Sequence, residues 1–123
     1  MIFKNKYFFD GLFGIERETL RVTPNGILSR LPHPFENDRR LERDFCENQL
    51  ELITPVCSSI SELMQTLTNI DSYIKAELKK HGEYLWMSSN PPHFEHECDI
   101  QIANYVNERS FKREYRIKLA KRY

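Results

Sequence analysis

Residues 14–22, GIERETLRV, alternate with a period of two. Ile15, Arg17, Thr19 and Arg21 fall on one side and Glu16, Glu18, Leu20 and Val22 on the other, the repeat of a β-strand. Pro24-Asn25-Gly26 supplies turn chemistry, and Ile27 and Leu28 begin a return strand, so 14–29 reads as a hairpin. Residues 30–43 are polar and Pro-containing and read as a loop. Residues 47–54, ENQLELIT, predict a second strand, with Leu50 and Leu52 on one face and Glu47, Gln49, Glu51 and Ile53 on the other; Pro55 ends it. Ile60, Leu63, Met64, Leu67, Ile70, Ile74 and Leu78 then recur at helical spacing. Ser59 and Glu62 fit a capping box, and Gly82 is the expected stop. Residues 6–12 predict one helical turn, Tyr84–Met87 a short strand, and 88–92 a loop. Residues 109–123 predict a last helix with Phe111, Tyr115 and Leu119 as its apolar stripe. The sum is an α+β chain: an antiparallel sheet backed by helices.

Composition sharpens this outline. The 123 residues, 40% hydrophobic and 12% aromatic, suffice for one small globular domain or part of a larger one. The formal net charge of +0 argues against a uniformly basic nucleic-acid binder. It conceals an asymmetry, because residues 109–123 carry seven basic groups against one acid. A segment of +6 therefore follows a body of −6. Cys46, Cys57 and Cys98 are odd in number and widely spaced, which predicts a reducing compartment. No apolar run approaches the ~20 residues of a membrane span. MIFKNKYFFDGLF lacks the apolar centre of a secretory signal, so a cytoplasmic protein is expected.

The carboxylates are the candidate chemistry. Glu16 and Glu18 stand at i and i+2 on one strand face, Glu47 and Glu51 share a face of the other strand, and Asp44 lies just before it. If these faces converge, four or five carboxylates meet on one partly apolar wall. Like charges so placed are driven toward protonation unless a cation intervenes, and Mg²⁺, a hard ion, takes oxygen ligands. Such a wall can serve as a Mg–nucleotide platform; the ordinary alternative is a solvated polar strand face. His93, His96 and Cys98 in HFEHEC have no fourth zinc ligand nearby and no CxxC, and read as loop residues. Cys46 and Cys57 have no paired base in view and read as inert thiols. There is no Walker A or dinucleotide fingerprint. For the basic helix, a solvated face and the binding of phosphate, nucleic acid or an acidic partner all stay open.

Four segments carry a family resemblance. GIERETLRV (14–22) with Pro24-Asn25-Gly26 resembles the opening of bacterial glutamate–cysteine ligase, and DFCENQLELITPV (44–56) resembles that family's second carboxylate strand. Tyr84–Met87 with its Pro-containing loop, and DIQIANY (99–105) with FKREYRIKLAKRY (111–123), follow in the same order. The stretch Val106–Ser110 is shorter than the Gly/Ser turn usual in the family. The resemblance covers nearly the whole chain and fits both the stand-alone ligase and the N-terminal half of the bifunctional glutathione synthetase fusion. It implies a glutamine-synthetase-like carboxylate–amine ligase fold, present in part. The implied activity is ATP-dependent joining of the γ-carboxylate of L-glutamate to L-cysteine through γ-glutamyl phosphate, the first step of glutathione synthesis.

By the same resemblance, Glu16, Glu18, Asp44 and Glu51 are metal-binding carboxylates for Mg²⁺ or Mn²⁺. Tyr115 and Leu119 line the cysteine pocket, and Arg116 meets glutamate or the transferred phosphate. Glu47 and Gln49 receive only supporting roles. The partners implied are L-glutamate, L-cysteine, ATP and the remainder of the ligase chain, with neither nucleic acid nor membrane. Family enzymes are several times longer, so residues 1–123 are expected to be the N-terminal portion of an incomplete catalytic domain and inactive alone. The competing expectation is a small non-catalytic module that binds an anion or partner through its basic helix.

Overall fold

The protein is described by a computed structural model covering residues 10–105 and 110–121. Its strands are β1 (Glu16–Val22), β2 (Leu41–Glu42), β3 (Gln49–Ile53) and β4 (Tyr84–Trp86), and its helices are α1 (Ile60–Lys80) and α2 (Ser110–Ala120). The strands form one sheet in the order β2-β3-β1-β4, every pairing antiparallel. The α+β expectation is met.

The period-two pattern decides which way the sheet faces. Leu50 and Leu52 of β3 are almost fully buried, as is Leu41 of β2, which pairs with Leu52. Leu63, Ile70, Ile74 and Leu78 repeat along one side of α1 and are buried. The last three join Phe35, Leu41, Leu50 and Leu52 in the core cluster, with Leu67 and Leu85 packed against it. Burying aliphatic side chains of this kind contributes roughly 1.5–3 kcal/mol each, and it pins α1 across one face of the sheet. Ile60 and Met64, counted in the helical repeat, stay exposed at the start of α1.

The helix ends follow local chemistry. Ser59 Oγ accepts from the Glu62 amide at 3.1 Å, while the Glu62 carboxylate accepts from the amide and hydroxyl of Ser58, each at 2.8 Å. The reciprocal half of the predicted capping box thus reaches one residue further back. After α1, Gly82 adopts φ +69°, a value a β-carbon would strain. Gly26 does the same at φ +74° in the 23–26 turn, where the Thr23 amide donates to the Ile27 carbonyl at 2.8 Å.

Three elements differ from expectation. The return arm of the hairpin reduces to single bridges, Leu28 with Val22 and Ile27 with His93. The polar stretch 30–43 contains β2, a two-residue edge strand. Glu47 lies in the tight turn before β3 and not on its face. The expected turn at 6–12 falls largely outside the described residues, as does the stretch 106–109.

On the core side, β1 presents two arginines. Arg17 pairs with Asp71 of α1 at 2.5 Å. Arg21 is wholly buried, 2.5 Å from Glu83, and also donates to the carbonyls of Leu31, Pro32 and Glu47. Ser29 donates to the same Glu83 oxygen at 2.5 Å. Removing one partner of a buried pair strands the other charge, at a cost of about 3–5 kcal/mol. Glu83→Ala should therefore lower stability by about 3 kcal/mol in urea unfolding, and Arg21→Met in the same background should restore part of it. His33, 2% exposed, lies beside this network. Burial, then the Arg21 and Arg43 charges, depress its pKa to about 4. Its Nδ1 accepts from the Phe35 amide, so the folded state holds it neutral. A depressed histidine pKa leaves stability intact above the unfolded value and erodes it as pH falls from there toward the folded one. The chain should lose stability between about pH 6.5 and 5, above the range where carboxylates titrate, and His33→Gln should flatten that slope.

Candidate functional site

The sheet face turned away from α1 carries the carboxylates. In the register of β1 against β3, Glu18 stands directly opposite Glu51 and Glu16 opposite Ile53. Glu42 of β2 stands opposite Glu51 on its other side. One row across three strands therefore reads Glu18, Glu51, Glu42, with Glu16 two residues along β1 from Glu18. Burial pushes the Glu51 carboxyl above its ordinary pKa, and the charges of Asp44, Glu16, Glu18 and Glu42 push it further the same way. Four candidate carboxylates named from sequence thus share one electrostatic neighbourhood. Glu42 was missed, because nothing in RRLER announces a two-residue strand; its spacing from Leu41, a buried leucine, is the only signal.

Among the described residues, no three carboxylates, imidazoles or thiols converge as they stand on a point that could hold an ion. Asp44 is engaged elsewhere, since Arg116 of α2 donates to its Oδ1 at 2.8 Å. The same guanidinium donates to the Tyr105 hydroxyl at 2.9 Å and lies over the rings of Phe45 and Tyr105, 5.5 and 5.1 Å from their centroids. The Tyr105 hydroxyl in turn lies 2.8 Å from the carbonyl of Arg43 and 2.9 Å from that of Asp44. Lys112 of α2 also lies over the Tyr105 ring, 5.5 Å from its centroid. Two of the basic groups of α2 are thus turned onto the acidic body, which accounts for part of the +6/−6 division in the sequence.

Tyr115 and Leu119, one turn apart on α2, lie to either side of Arg116. The expected apolar stripe does not seat this helix: Phe111 and Tyr115 are 64% and 63% exposed, while Leu119 is half-buried. Arg116, charged and one position on, makes the inward contact because its carboxylate and aromatic partners lie on the body.

Glu47 is the buried hub beneath this arrangement. Its carboxylate accepts from the amides of His33 and Asn104, at 2.9 and 2.6 Å, and from Arg43 Nε at 2.9 Å. Burial alone would raise its pKa; these hydrogen bonds outweigh that and hold the carboxyl below its usual range. Arg43 also pairs with Glu36. Glu47 therefore ties the Asp44-bearing turn to the 101–105 segment that meets Arg116. His93, His96 and Cys98 are exposed; His93 makes a single bridge to Ile27, and Cys98 lies in a 3-10 turn, Glu97–Asp99, that follows His96, so the expected loop is partly ordered.

The crowding on Glu51 has a measurable consequence. With its folded pKa raised, the carboxyl penalises the folded state once ionised, and stability falls as pH rises through that window. Glu51→Gln should raise the melting temperature at pH 7 by a few degrees, the gain vanishing in acid where both forms are neutral.

A family model, glutamate-cysteine ligase, matches residues 3–123. The glutathione biosynthesis bifunctional protein of Listeria innocua is 43% identical over 123 residues, covering 96% of this chain and 16% of that protein. The glutamate–cysteine ligase of Clostridium acetobutylicum is 38% identical over 129 residues, covering 98% of this chain and 26% of its own length. Among solved structures, the glutamate–cysteine ligase of Francisella tularensis in complex with AMP superposes with a TM-score of 0.81 at 34% identity, covering 94% of this chain and 24% of that one. The chain thus spans about a sixth to a quarter of the length of these relatives. With the family model matching nearly all of its residues and a family structure superposing on its fold, this chain belongs to the glutamate–cysteine ligase family.

Proposed function

We propose that these residues form one wall of the active site of an ATP- and Mg²⁺-dependent ligase that joins L-glutamate to L-cysteine, the first step of glutathione biosynthesis. In that reaction the γ-phosphoryl group of ATP passes to the γ-carboxylate of glutamate, releasing ADP. The cysteine amine then attacks the acyl phosphate, the C–O bond to phosphate breaks, and γ-glutamylcysteine and phosphate leave. The observation that carries the reading is the Glu18–Glu51 pair, flanked by Glu16 and Glu42 and coupled to Asp44. An all-oxygen donor set with one carboxyl already strained by like charge suits a hard divalent cation. Mg²⁺ or Mn²⁺, when bound, would neutralise phosphate oxygens during phosphoryl transfer.

Glu16, Glu18 and Glu51 would hold that cation, with Asp44 joining them on exchanging its Arg116 partner. Arg116, poised between Asp44 and two aromatic rings, is suited to meet the glutamate or the transferred phosphate. Tyr115 and Leu119, on the neighbouring exposed side of α2, would contact cysteine. The AMP held by the Francisella tularensis relative supports an adenine nucleotide as co-substrate. Cys46, Cys57 and Cys98 are all free thiols, which supports a reducing, cytoplasmic setting; no described helix is long and apolar enough to cross a membrane. The whole reaction is assigned to a protein of the relatives' length; these residues alone should form no γ-glutamylcysteine, and turnover by the purified chain would overturn that.

The cation is tested on the chain itself. Mg²⁺ at a tenfold excess over its dissociation constant should stabilise the fold by about 1.4 kcal/mol, read as a rise in melting temperature. The Glu18→Gln/Glu51→Gln double variant should show no such rise. An equal Mg²⁺ response in both would remove the carboxylate row from the site.

A further inference from the structure

The side of α2 away from Tyr115 borders a cleft that the ligase reading leaves unassigned. At about 100° per residue, Arg113 and Ile117 each stand roughly 160° around the helix from Tyr115. Both line a cleft of about 490 Å³. Arg30 and Pro32, from the loop after Leu28, line it too, as do Gln101, Ile102 and Asn104 from the segment before α2. The volume lies within the range of small-molecule sites. Three separate stretches of chain therefore meet around one space.

Each stretch is fixed by bonds of its own. The Glu47 amide donates to the Gln101 carbonyl at 2.8 Å, and Cys46 forms a bridge with Ile102, so residues 101–104 lie as a strap on the turn before β3. Arg30 pairs with Asp99, which is buried and also accepts from the amides of Glu95 and His96, at 3.1 and 3.0 Å. That pair anchors Arg30 and uses only part of its fork of donors.

The charges around the cleft leave one cation over. Glu47 is answered by Arg43 and two amides, and Asp99 by Arg30 and two amides. Among the described residues, the side chains of Gln101, Asn104 and Arg113 make no hydrogen bond or ion pair. A lone exposed arginine is ordinary on a protein surface. Here it shares a cleft with a second, anchored guanidinium and two uncommitted amides, a donor set suited to carboxylates. Pro32, Ile102 and Ile117 add carbon surface that a bare inorganic ion would not cover.

We propose that this cleft is an anion site separate from the carboxylate row, and that its ligand is a small aliphatic dicarboxylate. One carboxylate meets Arg113 and the other the remaining donors of Arg30. The carbon chain lies against the apolar residues, and the Gln101 and Asn104 amides complete the hydrogen bonds. An α-ammonium group would add positive charge between two guanidiniums, so the unsubstituted acid is preferred over L-glutamate. Bound there, the ligand ties α2 to the strap and to the 30–32 loop, and so steadies the helix that carries Arg116. The inference does not rest on the ligase reading.

The full 123-residue chain, free of divalent cations, is titrated with glutarate, acetate, inorganic phosphate and L-glutamate, following heat of binding and melting temperature. Glutarate should raise the melting temperature and bind about tenfold or more tighter than the other three. Arg113→Gln, at an exposed position, should weaken glutarate about tenfold or more. Arg30→Lys, which keeps a cation beside Asp99 but removes the fork, should weaken it as well. Lys118→Gln removes the same charge from an exposed position of α2 outside the cleft and should leave glutarate binding unchanged. The Glu18→Gln/Glu51→Gln double variant should also bind glutarate as the parent does, which separates this result from the fate of the cation platform. No heat from glutarate, or equal affinity in the parent and Arg113→Gln, would overturn the site. Equal weakening by Lys118→Gln and Arg113→Gln would overturn it in favour of diffuse attraction to a basic helix. Inorganic phosphate bound as tightly as glutarate would overturn the dicarboxylate, and L-glutamate bound more tightly than glutarate would make the cleft a substrate site instead.

Discussion

Leu50 and Leu52 can be buried under α1 only if β3 pairs with β1 in one register, and that constraint places everything else. Successive residues of a strand point to opposite faces, so a slip of one residue would turn both leucines to solvent and the carboxylates into the core. The hydrophobic free energy of the α1 side thereby holds Glu18 opposite Glu51, an arrangement that electrostatics alone would reject. The like-charge cost appears in the raised pKa of Glu51. Stability of the packed face and chemistry on the other face are coupled through the pleat.

A second network governs how the rest of the chain meets that sheet. Arg21, Glu83, Ser29, Glu47 and Arg43 are held in a buried or nearly buried polar cluster that satisfies the backbone of three separate segments. Such groups are costly to desolvate unless they are hydrogen-bonded, and most of them are. Their product is position. The Glu47 carboxylate fixes the turn carrying Asp44, and the 101–105 segment brings Tyr105 to Arg116. The acidic body and the basic helix, which look like separate compositional blocks along the chain, meet through Asp44 and Arg116.

Where local pattern carried the information, it was legible. β1, β3 and α1 have clean periods of 2 and 3.6, and the glutamates of GIERE and ENQLEL could be put on faces by counting. Where a residue's fate depends on distant partners, counting failed. Arg21 alternates with its strand like any polar residue, yet it is wholly buried, because Glu83, sixty-two positions later, meets it there. β2 is too short to have a period, so Leu41 and the carboxylate of Glu42 were hidden in a loop. Glu47 matched the parity of the β3 face but belongs to a turn, since its carboxylate is claimed by amides of His33 and Asn104. The stripe Phe111–Tyr115–Leu119 has helical spacing, but Arg116 faces the body because an aromatic and anionic seat was waiting for it.

The sequence by itself determined β1, β3, β4 and the two helices, the family, and the shared faces of Glu16 with Glu18 and of Glu51 with Gln49, because these follow from short-range periodicity and from motifs contiguous in the chain. The tertiary structure alone decided that the carboxylates form one row, that Glu42 belongs to it, and that Asp44 is tied to Arg116. Each of those depends on registers and long-range pairings set by packing between segments, and no local repeat encodes them.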